Sequence, residues 1–213
     1  MTQPPALPQK PLRTWLFNPF YYVAGVKALA IGLVIIVAAS LLGAVSNSHF
    51  DGILDFHTGL NAPVWAFVVE GLIDWLCLSV FLYIAGLILV GFRARAIDLF
   101  GTQALARWPS IGMPIIALFP GFQETTKAIA ANPTAISSLP PGQIAVLIVV
   151  TLMTLPFIVW MVALMYRAYA VSCNIKGAKA IVSFIIALIL SEIVSKAAIV
   201  ILFMQMGIIP LSA

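Results

Sequence analysis

The sequence predicts an all-α, polytopic membrane bundle, and three observations carry that reading. Of 213 residues, 62% are hydrophobic and only 8% charged, whereas a soluble domain is about one-quarter charged. Mean hydropathy is +1.11. The apolar residues are also gathered into long runs almost free of charge, as hydrocarbon-spanning helices require. One bundle of five transmembrane helices is expected, N-terminus inside and C-terminus outside, with an amphipathic interfacial helix before the third span.

Residues 1–27 form a Pro-rich and aromatic segment on the cytoplasmic side. Pro4, Pro5, Pro8 and Pro11 suit a flexible extended tail, and no signal peptide is read here because the first apolar run begins only near Ala28. Trp15, Phe17, Phe20, Tyr21 and Tyr22, flanked by Arg13 and Lys27, suit an interfacial aromatic belt. The membrane domain then covers 28–206, and 207–213 is a short outer tail.

The first span is Ala28–Val45, with Ala28 and Gly32 forming a small-xxx-small pair for close helix approach. The second is Val64–Phe92, carrying Glu70 and Asp74; Trp65 is read as an outer anchor and Trp75 as packing. The third is the difficult one. Ile111–Phe122 covers only about 18 Å at the helical rise, so it must borrow from Gln123–Ala131, and Pro114 and Pro120 would bend it. Ahead of it, Ala94–Trp108 mixes apolar residues with Arg95, Asp98 and Arg107 in a pattern suited to the interface. The fourth span is Ile144–Ala170, interrupted by Pro156. The fifth is Ala180–Met206, carrying Glu192 and Lys196.

Charge placement orients these spans. The net charge is +4 and the pI about 9.3, but the basic residues form no stripe with aromatic interleaving, so nucleic acid is not an expected partner. With five crossings, Lys10, Arg13, Lys27, Arg93, Arg95, Arg107, Arg167, Lys176 and Lys179 all fall inside, nine of the eleven basic residues. The outer half instead holds Asp51, Asp55, Glu70, Asp74, Glu124 and Glu192 against Lys127 and Lys196. Acidic residues contribute little to orientation, so this excess calls for another reason. Cys77 and Cys173 fall at different depths, which excludes a disulfide between them.

Glu70 and Asp74 are spaced i,i+4 and share one helix face, as do Glu192 and Lys196. Counting inward at the helical rise places Glu70 about 10 Å deep, and Asp74 and Lys196 both about 15 Å. Lys196 is therefore expected to pair with Asp74 or Glu70 across helices, as well as with Glu192. Such residues cost on the order of 3 kcal/mol each at depth and should face the bundle interior. The loop ahead of the second span reads Ser48-His49-Phe50-Asp51-Gly52-Ile53-Leu54-Asp55-Phe56-His57, an HxD…DxH arrangement holding both histidines. Imidazoles and carboxylates suit zinc, manganese or iron. A fold-back of this loop would gather six metal-ligand candidates: His49, Asp51, Asp55, His57, Glu70 and Asp74. The plainer reading is a structural network of Glu70, Asp74, Glu192 and Lys196 that fixes helix register beneath a solvated acidic loop. Ser46, Ser48, His49 and Asp51 contain the letters of a nucleophilic triad, but no GxSxG elbow accompanies them.

Asn18-Pro19-Phe20-Tyr21 before the first span and Ser110-Ile111-Gly112-Met113-Pro114 opening the third resemble the Yip family of five-span membrane proteins, over roughly Asn18 to Met206. The Asp-Leu-x-Gly-Pro signature of eukaryotic members is absent, and fewer than thirty residues precede the first span. The resemblance is thus to the short bacterial branch. It implies an integral protein of the bacterial cytoplasmic (inner) membrane that organises membrane or protein partners, and it brings neither Rab partnership nor catalytic residues. Three functions are carried forward: a non-enzymatic Yip-like protein with a polar site in its outer half, a proton or divalent-cation binding or transport protein with zinc as the model ion, and a metal-dependent intramembrane hydrolase. Oligomeric state leaves no trace in the sequence.

Overall fold

The computed structural model describes residues 12–58, 61–91 and 95–208, with the backbone only at 130, 131, 133 and 135. The Pro-rich stretch before Leu12, Arg93 and the end of the outer tail lie outside the described residues. Among the described residues the protein is all-helical apart from one short hairpin. Its helices are α1 (Leu12–Phe17), α2 (Gly25–Ser46), α3 (Val64–Val90), α4 (Ala96–Leu105), α5 (Gly112–Ala117), α6 (Pro120–Ala131), α7 (Pro141–Ser172) and α8 (Gly177–Gln205). Strands β1 (Ser48–His49) and β2 (His57–Thr58) pair antiparallel between α2 and α3.

Among the described residues four helices, α2, α3, α7 and α8, are long and apolar enough to cross a membrane. They begin and end within a few residues of the expected runs, and the chain's punctuation explains the ends. Pro63 precedes α3, Pro141 occupies the first turn of α7, and Asn47 closes α2 in the left-handed conformation, its N–H bonded to the Gly43 carbonyl. Helix α7 continues through Pro156.

Polarity is distributed as hydrocarbon solvent demands. Val34, Ile88, Val159 and Ile193 all point outward and are exposed, whereas Ser40, Ser79, Ser191, Ser195, Glu70 and Asp74 are buried. In water such a surface would aggregate; in lipid it is the solvated face, and the interior is where polar side chains find partners.

The stretch expected as an interfacial helix and a third span is built differently. A helix lying at the interface keeps one face in water, but Gly101 through Arg107 are all buried, and α4 packs on α2, α3 and α7. Side-chain bonds stitch it in place: Trp75 Nε1 donates to the Phe100 carbonyl (3.0 Å), Gln103 Nε2 to the Met165 carbonyl (2.9 Å), and Thr102 shares a hydrogen bond with Ser172 (2.8 Å). A 3-10 turn (Trp108–Ile111), α5 and α6 follow, with Pro109 and Pro120 each opening a new segment where a proline needs no N–H partner. The broken segment runs beside α2 in the same direction. Gly101 lies against Gly25, Ala104 against Gly32, and Gln123 Nε2 donates to the Ser46 carbonyl (3.3 Å).

The α2–α4 approach depends on missing side chains. A Cβ on Gly32 would fall 2.4 Å from the backbone carbon of Ala104, and one on Gly101 2.4 Å from the Gly25 carbonyl oxygen. Both obstacles are backbone and cannot swing away. The Ala28/Gly32 pair thus serves packing within the chain. Gly32→Ala and Gly101→Ala should each destabilise the protein by about 1–3 kcal/mol through overpacking. Gly142→Ala, with nothing within 4 Å of the new methyl, should leave thermal unfolding in detergent unchanged or slightly raised; equal behaviour of all three variants would contradict this packing.

Candidate functional site at the hairpin

The site begins with register. Pairing of β1 with β2 sets His49 opposite His57, so the HxD…DxH pattern folds upon itself and the two imidazoles stack with centroids 5.5 Å apart. Phe50 packs against Phe56 (5.1 Å) and Ile53 is fully buried. These residues join the main apolar core of the bundle.

Two carboxylates rise from α3 and α8 to receive it. Glu70, 1% exposed, lies 2.7 Å from His49 Nδ1 through Oε1, and its Oε2 accepts from the Phe50 N–H at 3.4 Å. The His49 ring rests on Phe67, one helical turn before Glu70, with centroids 4.2 Å apart. Glu192 Oε2 accepts from the Leu54 N–H at 2.9 Å. Gly52 makes room for this bond, since a Cβ there would sit 2.3 Å from Glu192 Oε1.

The remaining hairpin groups form a second layer facing solvent. His57 Nδ1 lies 3.2 Å from Asp51 Oδ1, and Lys196 pairs with Asp55. One ligand-capable atom from each of Asp51, Asp55 and His57 lies within 4.8 Å of the other two.

The six metal-ligand candidates therefore do not meet at one point. His49 and Glu70 satisfy each other in the protein interior. Asp51, Asp55 and His57 cluster outside them. Asp74 lies one turn deeper than Glu70, fully buried. The expected pairing of Lys196 with Asp74, Glu70 or Glu192 is likewise replaced by its contact with Asp55. A long flexible side chain carries its charge to the hairpin instead of leaving it at the level of its own Cα. Glu192 turns to the hairpin backbone.

The charge that does face Asp74 is Arg107, which the sequence reading assigned to the inner interface. Arg107 is 4% exposed and, with Asp74, lies inside the bundle. The one signal available in advance was the need for a counter-charge at the depth of Asp74. Cys77 and Cys173 are both free.

The class that fold and site define is a multi-pass helical membrane protein with a polar cap at one end. Comparison adds no family: the chain matches no protein-family model, no curated protein and no solved structure.

Outside the spans, hairpin electrostatics are set by one pair. The hydrogen bond to Asp51 raises the His57 pKa above its ordinary 6.5, against the opposing effect of burial and with help from the charges of Asp51, Asp55 and Glu70. Burial pushes Asp51 upward, but the hydrogen bond and charge of His57, together with Lys196, hold it below its ordinary 3.8. The His57 contribution to stability is complete below 6.5 and is lost as pH rises through the raised value. The Asp51 contribution is present above 3.8 and is lost as pH falls through the lowered value. Protection of the hairpin amides, taken relative to their base-catalysed unfolded exchange rates, should therefore be greatest between those limits and should fall on the alkaline side as His57 loses its proton. Because the pair is partly exposed, the change should stay within about 1 kcal/mol. Asp51→Asn should flatten the alkaline limb; persistence of that limb would place its origin elsewhere.

Proposed function

We propose that this chain is a non-enzymatic, five-crossing integral protein of a bacterial inner membrane, Yip-like in build, whose outer hairpin binds a divalent cation at Asp51, Asp55 and His57. The broken segment 96–131 counts as the third crossing because it follows α2 from the level of Gly25 to that of Ser46. Five crossings leave the basic ends of the helices inside and the hairpin outside. The protein's task in this reading is to organise membrane or partners, with the cation closing the hairpin upon itself.

The observation that carries the cation site is the approach of two carboxylates and one imidazole to within 4.8 Å of one another. That donor set suits zinc, with water completing the shell. Lys196 already supplies one positive charge at Asp55. Its side chain is 45% exposed, so the ammonium can return to water at little cost when a doubly charged ion arrives. The ammonium and the metal are then competitors.

Competition gives the test a sign. In equilibrium binding of zinc to the purified chain, Asp51→Asn and His57→Ala should each weaken affinity at least about tenfold, as loss of one ligand requires. Lys196→Gln should tighten it. Zinc that fails to bind, or binds equally well to the Asp51 and His57 variants, would overturn the cation reading.

A further inference from the structure

Helix α7 carries a stripe that changes character along its length. Leu152, Leu155, Val159 and Ala163 recur at intervals of three and four, and the series continues through Tyr166, Arg167 and Ala170 into the turn at Asn174. Such spacing keeps residues on one helix face. The first group lines an open apolar groove of about 520 Å³ together with Phe17. The second lines a polar cavity of about 290 Å³ together with Asn18 and Tyr21. Phe17 and Asn18 are consecutive, so groove and cavity adjoin.

Both walls are fixed by the protein itself. Trp160 Nε1 donates to the Leu16 carbonyl (3.0 Å), the Phe17 ring lies 5.8 Å from that of Trp160, and Pro19 and Phe20 are buried. The segment bearing Asn18 and Tyr21 is thereby held on α7. On the other side, the turn from α7 to α8 passes through positive φ at Asn174 (50°) and Gly177 (68°). It buries Cys173 and Ile175 and leaves Arg167 and Lys176 exposed on the cavity wall.

The charge there is uncompensated. Neither Arg167 nor Lys176 belongs to an ion pair among the described residues, and no acidic side chain lines the cavity. Asp98 at this end, whose carbonyl accepts from Ser172 (3.5 Å), is taken up by Arg95 (3.4 Å). Helix α8 starts on the same wall, and its N-cap, Lys176, offers the first amides no side-chain acceptor. The positive end of that helix adds to the two cations.

Orientation in the membrane does not require this arrangement. The positive-inside bias asks only that basic residues share a side. Lys179 meets it without lining the cavity, whereas Arg167 and Lys176 converge on one space that continues into an apolar groove. The order along α7 is that of a lipid: charge where the helix ends, then apolar wall toward its middle. From Ala163 to Leu152 the groove runs about 16 Å at the helical rise, close to one leaflet of a hydrocarbon core about 30 Å thick.

We propose that this stripe binds one anionic phospholipid, its phosphate at Arg167 and Lys176 and an acyl chain along the groove beside Phe17. The phosphate oxygens accept from the guanidinium and the ammonium. The inference rests on α7 and α8 crossing the bilayer, and on neither the hairpin cation site nor the number of crossings.

Native mass spectrometry of the full chain in neutral detergent tests it, titrating phosphatidylglycerol against phosphatidylcholine of the same acyl chains. One phosphatidylglycerol should be retained in preference to phosphatidylcholine. Arg167→Gln and Lys176→Gln should each weaken it about fivefold or more, and Lys179→Gln should not. Val159→Trp, which fills the groove, should weaken it as well. Equal retention of the two lipids, or equal weakening by Lys179→Gln and Lys176→Gln, would reduce the cavity to general surface charge. Free glycerol phosphate that competes as strongly as the lipid, or unchanged binding in Val159→Trp, would remove the acyl chain from the site and overturn the proposal. Alkaline extraction of membranes, which leaves crossing proteins behind, checks the premise by itself, and Asp51→Asn should lose zinc at the hairpin while keeping the lipid.

Discussion

Two carboxylates in apolar helices, Glu70 and Glu192, need donors that their own helices do not supply, and the hairpin end of the molecule is built around that shortage. The hairpin supplies what they lack. His49 and the Phe50 N–H go to Glu70, and the Leu54 N–H goes to Glu192. A loop whose own backbone would otherwise be solvated becomes part of the bundle because its N–H groups are worth more beside a desolvated charge than beside water. The second layer, Asp51 with His57 and Asp55 with Lys196, exists only because the first has fixed the register of the hairpin.

The same constraint explains the packing lower down. Helix α4 is too polar for lipid and too short to span, yet it is buried, because Trp75, Gln103 and Thr102 place their polar atoms on carbonyls or hydroxyls of neighbouring helices. Glycines at 32 and 101 let the backbones of α2 and α4 come close enough for those bonds to form. Once α4 is held there, Arg107 follows it into the interior, opposite Asp74. A residue that looks like a topology marker in the sequence becomes the central cation of the bundle.

Much of this was legible beforehand, and the boundary of legibility has a physical cause. Hydropathy runs located α2, α3, α7 and α8, because a lipid-facing helix must be apolar along its length. The i,i+4 spacing marked Glu70 with Asp74 and Glu192 with Lys196 as face-sharing pairs, and HxD…DxH marked the hairpin. Partner choice was not legible. Helix-depth counting put Lys196 level with Asp74, but it treats a side chain as ending at its Cα; the four-carbon stem of lysine spans more than a helical turn and takes the charge to Asp55. Arg107 was missed for the complementary reason, since Ala94–Trp108 has an amphipathic pattern and nothing local distinguishes water from a polar interior as the solvent of its polar face.

By itself the sequence determined the solvent, the long helices and the identity of the polar residues, since each depends on composition and on spacing along one chain. Only the tertiary structure decided which acid meets which base. That choice turns on the approach of α4 to α2 and on the register of a four-residue β-pairing, interactions between segments whose separation along the chain carries no information about their distance in space.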